Sequence, residues 1–98
     1  MSQKLSQEEM QPLLEGILSL ETVDECYRFL QDLCTIQELK SLSQRLEVAR
    51  LLRQNITYQE ISERTGASTA TISRVGRALN YGADGYDIVL ERMKKQEN

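Results

Sequence analysis

The chain has 98 residues, is 40% hydrophobic without a single tryptophan, and carries a formal net charge of −3. That length suits one domain with a modest core, so partnership with a second chain is the starting expectation. There is no histidine and there are only two cysteines, which removes the commonest general base and leaves too few ligands for a zinc site; no metal and no cofactor are expected.

The opening segment, MSQKLSQEEMQ, lacks the apolar run of a signal peptide, and no stretch approaches membrane-spanning length. The expectation is a soluble, cytoplasmic protein with no membrane partner. Leu13, Leu14, Ile17 and Leu18 form a first apolar face, and Pro12 fits the first turn of a helix there. A helix beginning at Ser6 would instead carry Pro12 inside it and be kinked. Three Thr-x-x-Glu tetrads follow: TVDE at Thr22, TIQE at Thr35 and TYQE at Thr57. In each, the threonine hydroxyl can accept from the amide three residues on, while the glutamate reaches back to the threonine amide. After Thr22 come Val23, Cys26, Tyr27, Leu30, Leu33 and Cys34 at helical spacing, and after Thr35 come Ile36, Leu39, Leu42, Leu46, Ala49 and Leu52. The second of these stripes fits four to five turns, ending at Asn55. Cys26 and Cys34 lie too far apart along one helix for a disulfide and read as small hydrophobes in a reducing compartment. Near the other end, Asp84 is placed to cap a last amphipathic helix through Tyr86, Val89, Leu90 and Met93. No strand alternation or repeat is found, so the chain reads as all-α, with about six helices.

The segment TYQEISERTGASTATISR, Thr57 to Arg74, is dense in hydroxyls and broken once by Gly66. A helix from Tyr58 to about Thr65 would end at Gly66, which adopts the left-handed conformation without steric penalty. Two residues later Ser68 can cap a second helix running from Thr69 to about Asn80. Two short helices across so tight a turn form a helix-turn-helix, with Ile61, Ala67, Ile72 and Val75 at interior positions and small Ser62 leaving room for the crossing. An ordinary helical hairpin is the plainer alternative. With Ile72, Val75 and Leu79 inward, the second helix presents Ser68, Thr69, Ala70, Ser73, Arg74 and Arg77. Its N-terminal residues are those that reach base edges when such a helix enters a major groove. Short side chains allow close approach, and a threonine or alanine methyl can meet a thymine methyl. Arg53, Arg64, Arg74 and Arg77 could meet phosphates.

The charge is unevenly spread. Residues 1–38 carry two basic and eight acidic side chains, residues 39–82 seven basic and three acidic, and the remainder three basic and four acidic. An anionic partner is therefore expected for the middle of the chain only.

From about Leu33 to Asn80 the chain resembles the Trp repressor family, and ASTATISR followed by ALNYGADGY looks like its YerC/YecD subgroup. The resemblance implies six helices, an intertwined homodimer and a helix-turn-helix in each subunit. On that pattern residues 1–98 form a single domain, in which 1–54 supply dimerisation helices, 57–80 the helix-turn-helix and 84–95 the C-terminal helix. It also implies that Tyr58 and Gln59 join Ser68, Thr69, Ala70, Ser73, Arg74 and Arg77 in contacting DNA. Tyr58, Gln59 and Ser62 depart from family positions that are longer or more basic, so a different operator is expected. Thr35, Arg45 and Arg74 match positions that line the family's tryptophan pocket. However, Val75 replaces a glycine beside the indole and Ala78 replaces a ligand-binding serine. A valine would clash with a flat ring, and the lost hydroxyl leaves the amino group fewer partners. Tryptophan is not expected as a ligand. Tyr81 and Tyr86 with Gly82 and Gly85 could frame a pocket of their own, or simply a glycine-capped turn with two packed tyrosines.

These readings converge on a homodimeric, sequence-specific regulator that binds double-stranded DNA and has no enzymatic activity. Its rival is a protein-interaction module that keeps the helix-turn-helix as a scaffold. An enzyme is disfavoured by the lack of histidine, of a metal-ligand cluster and of a glycine-rich phosphate loop.

Overall fold

The computed structural model describes residues 5–96. Among them the chain forms six helices and no strand: α1 (Gln7–Leu18), α2 (Val23–Leu33), α3 (Ile36–Arg53), α4 (Tyr58–Thr65), α5 (Thr69–Tyr81) and α6 (Gly85–Gln96). The all-α expectation and the helix count hold.

Two units divide the chain between Leu39 and Lys40. The N-terminal one contains α1, α2 and the first turn of α3. Its helix starts are set by side chains that satisfy otherwise orphaned amides. Ser6 accepts from the Glu9 amide at 3.1 Å while the Glu9 carboxylate accepts from the Ser6 amide at 3.4 Å. This reciprocal pair starts α1 well before Pro12, which lies inside the helix and not in its first turn. Thr35 and Glu38 close the same kind of box at the start of α3, at 3.1 and 2.8 Å. Thr22 accepts from the Glu25 amide, but the Glu25 carboxylate accepts from the Glu21 amide, one residue before the position expected. The unit buries none of its own described side chains. Leu18, Val23 and Tyr27 are 85%, 88% and 60% exposed, and Cys26 is exposed as well.

The other unit holds a core. Val48, Ala49 and Leu51 from α3 meet Ile61 from α4, Ala67 from the following turn, and Ile72, Val75 and Leu79 from α5. Leu52, Ile56, Tyr86 and Leu90 pack against this cluster. Burying each large aliphatic side chain is worth about 1.5–3 kcal/mol, so the core contributes most of the apolar stabilisation within one chain. α3 is closed by Asn55 at φ 62°, with the Asn55 amide donating to Leu52 O at 3.0 Å and the Ile56 amide to Leu51 O at 3.2 Å. That pairing is a Schellman closure in which asparagine takes the left-handed position. At the far end of α5, a Cβ on Gly82 would lie 2.3 Å from the Ala78 carbonyl oxygen, so the turn into α6 admits no side chain there. Asp84 occupies the position before α6 with φ 67°, unlike the extended caps of α1, α2, α4 and α5, and its carbonyl accepts from the Ile88 amide. Arg53 on α3 pairs with Asp87 on α6.

Candidate nucleic-acid interface

Thr57 caps α4 by accepting from the Glu60 amide at 3.2 Å. The Glu60 carboxylate does not reach back as the tetrad suggested; it pairs with Arg64 at 2.6 Å, one turn along the helix. Gly66 ends α4 at φ 74°, ψ 4°. Two residues on, Ser68 accepts from the Thr71 amide at 3.1 Å and starts α5. The turn is fixed by side chains as well as by its glycine. Ser62 Oγ donates to Ala67 O at 2.8 Å, and Thr65 Oγ1 donates to Ile61 O at 2.7 Å while accepting from the Ala67 amide at 3.1 Å. Gln44, on α3, donates through Nε2 to Thr65 O at 3.2 Å.

This arrangement orients α5 unambiguously. Ile72, Val75 and Leu79 are buried, whereas Ser68, Thr69, Ala70, Arg74 and Arg77 are exposed and Ser73 is half-buried. Among the candidate contact residues on α4, Gln59 is exposed and donates to Glu63 Oε1 at 3.4 Å. Tyr58 is 44% exposed. Its hydroxyl lies over α5 so closely that a Cβ on Gly76 would sit 3.2 Å from it. Tyr58 is thus both a surface residue and a spacer between the two helices.

The charges sort themselves. Arg64 is neutralised by Glu60, Arg50 by Glu47 and Arg53 by Asp87. No carboxylate among the described residues pairs with Arg74 or Arg77. These two guanidiniums and the exposed amide end of α5 form a surface suited to anionic oxygens.

The positions matched to the tryptophan pocket lie just before α3, along α3 and on α5. Thr35 is occupied as the cap of α3, Arg45 is half-buried and Arg74 is exposed. Val75 is 1% exposed and part of the core. An apolar hollow of the C-terminal unit is lined by Leu46, Ala78, Ala83, Gly85, Tyr86 and Val89, with neither Arg45 nor Arg74 among them. Tyr86 and Gly85 line it; Tyr81 does not and is 88% exposed. Among the described residues no group of three or more His, Cys, Asp or Glu side chains could hold a metal ion. No described helix is long and apolar enough to cross a membrane.

Sequence reasoning missed the part played by Gln44 and Thr65. Thr65 stands beside Gly66 in a turn-forming context that could have flagged it. Gln44 offers no such signal, because its partner is a backbone carbonyl 21 residues away.

With the tight-turn helix pair on α3 and its exposed hydroxyl-rich helix in place, the comparison with known proteins is direct. The Trp repressor protein family model matches residues 8–94, and the chain belongs to that family. It is 58% identical over 94 residues to the uncharacterised Bacillus subtilis protein YerC, covering 96% of this chain and 90% of YerC. Among solved structures it is similar to a TrpR-like protein from Eubacterium eligens, with 60% identity, a TM-score of 0.83 and 91% of each chain covered. A candidate Trp repressor from Staphylococcus aureus is 47% identical, with a TM-score of 0.85 over 93% of this chain and 96% of that one.

Proposed function

We propose that the chain is a homodimeric, sequence-specific DNA-binding transcriptional regulator, most simply a repressor. The observation that carries this reading is the two-sided character of α5. One side supplies Ile72, Val75 and Leu79 to the core, and the other presents Ser68, Thr69, Ala70, Arg74 and Arg77 to solvent, free of carboxylate partners among the described residues. A helix held in this way can place its first turn in a major groove, with hydroxyls and methyls at the base edges and guanidiniums at the phosphates. Membership of a family named for a repressor supports a regulator over an enzyme. The dimeric part of the reading is supported by the N-terminal unit, whose apolar side chains are at most half-buried.

The direct experiment is selection of bound fragments from random duplex DNA, followed by titration of the selected duplex at several salt concentrations. A two-fold symmetric site should emerge, its half-sites about 10 base pairs or a multiple apart, with affinity falling steeply as salt rises. Recovery of no preferred sequence, together with salt-independent binding, would transfer the assignment to a protein-interaction module.

A further inference from the structure

Resting on the DNA-binding reading above, we infer that Gln44 is a positioning residue for DNA recognition: its side-chain amide holds the helix-turn-helix turn on α3 and thereby fixes where the first turn of α5 is presented. Gln44 Nε2 donates to the Thr65 carbonyl at 3.2 Å, and both residues are half-buried. The carbonyl belongs to the last residue of α4, one of the helix-end oxygens that have no partner along their own helix. Thr65 is also the hub of the turn, since its hydroxyl donates to Ile61 O and accepts from the Ala67 amide. Ala67 in turn is buried, and its carbonyl accepts from Ser62. Ser68, the next residue, caps α5. One amide on α3 is therefore connected through Thr65 and Ala67 to the N-terminus of the helix that faces solvent.

The buried apolar contacts of Ile61 and Ala67 hold the turn against the core by close packing, which carries no directional preference of its own. A hydrogen bond is directional and has a narrow distance window. Gln44 supplies the directional restraint. On the proposed dimeric reading, in which residues 1–54 supply the dimerisation helices, a turn held on α3 sets the separation of two α5 helices and not merely the fold of one. Gln44 touches no base or phosphate in this scheme; it acts through Thr65.

The test uses the full chain with three variants and two duplexes, a selected symmetric site and a scrambled duplex of equal length. Gln44→Met keeps the length and packing of the side chain and removes the donor. It should weaken binding to the selected site about tenfold, roughly what one neutral hydrogen bond per subunit is worth. Affinity for the scrambled duplex and the salt slope should stay unchanged, and discrimination against sites with half-site spacing altered by one base pair should shrink. Gln44→Glu, whose ionised carboxylate cannot donate, should behave likewise at pH 8 and recover relative to wild type as the carboxyl protonates near pH 5. Gln44→Asn, one methylene short of the carbonyl, should not recover at any pH. Equal affinities for wild type and Gln44→Met, or equal losses on both duplexes, would overturn the proposal. Should Gln44→Met fail to fold, the pH profile of Gln44→Glu decides the matter in its place, and a flat profile counts against it. If wild type itself shows no sequence preference, the DNA-binding reading fails separately. Hydrogen exchange at the Ala67 amide, faster in Gln44→Met only if Gln44 holds the turn, then still decides whether the clamp exists.

Discussion

At the scale of single residues, the DNA-binding reading assigns α5 two kinds of contact. Thr69 and Ala70 lie in its first turn and Ser73 one turn further on, whereas Arg77 stands a turn beyond that on longer reach. Replacing Arg77 by alanine should weaken binding to every sequence about equally and lower the salt slope by roughly 0.9 for each phosphate left without its cation. Replacing Thr69 or Ser73 by alanine should leave nonspecific binding nearly intact while costing on the order of 1–3 kcal/mol on the preferred site. Paired titrations of selected and scrambled duplexes distinguish the two patterns. Val75 carries a second prediction. Its side chain is buried in the core beside Ile72 and Leu79, in the place where the family's pocket would need open space. Calorimetric titration with tryptophan should therefore give no heat of binding, and micromolar affinity would refute this account of the position.

At the scale of elements, two carboxyls on α3 are held below their ordinary range. Hydrogen bonding from the Thr35 amide, and then from the Thr35 side chain, holds the Glu38 carboxyl below its ordinary range. The guanidinium of Arg50, hydrogen-bonded to Glu47, does the same there, against some desolvation. A carboxyl whose folded value is lowered stabilises the fold fully above the ordinary carboxylate range, and that contribution is lost as pH falls through the lowered value. Both groups sit on α3, so acid should loosen this helix. We expect the melting temperature to fall on acidification below the ordinary carboxylate range, and less steeply in Glu38→Gln/Glu47→Gln. An identical acid limb in the two proteins would refute the assignment. The same elements mark where sequence is informative. Thr22, Thr35, Thr57 and Ser68 each start the helix expected of them, and Gly66 closes α4, because capping needs only residues within four positions. The start of α1 differs from the proline-based expectation: the capping box of Ser6 and Glu9 begins the helix, and Pro12 lies inside it. Glu60 departs from its expected role because Arg64, one turn away, competes for the carboxylate. The links Gln44–Thr65 and Arg53–Asp87 span 21 and 34 residues, and no local pattern encodes them.

At the scale of the whole molecule, acidity is compatible with binding a polyanion because the charges are segregated. The acidic excess lies in residues 1–38 and the basic excess in 39–82, so on the DNA-binding reading the segment proposed to meet DNA does not carry the average charge of the protein. On the dimeric reading, the exposed apolar side chains of α1 and α2 are covered only when two chains meet. The midpoint of thermal or denaturant unfolding should then rise with protein concentration, since mass action favours the assembled fold. A midpoint independent of concentration, with a compact monomer by sedimentation, would remove the symmetric docking model.

On the dimeric reading, the N-terminal unit has a further consequence for how subunits mix. A stretch of chain that fully buries none of its own described side chains would then complete its core only with a partner, so separating the two would amount to unfolding part of each. Subunit exchange between finished dimers should accordingly be as slow as unfolding itself. A chain carrying Thr69→Ala, Ser73→Ala and Arg77→Ala together, and so defective in binding, should therefore poison the wild-type protein when the two are synthesised together, yet leave it unharmed when added afterwards as purified dimer. Comparing operator binding after co-expression with binding after simple mixing measures this directly, and equal loss in the two cases would mean that the subunits trade places freely.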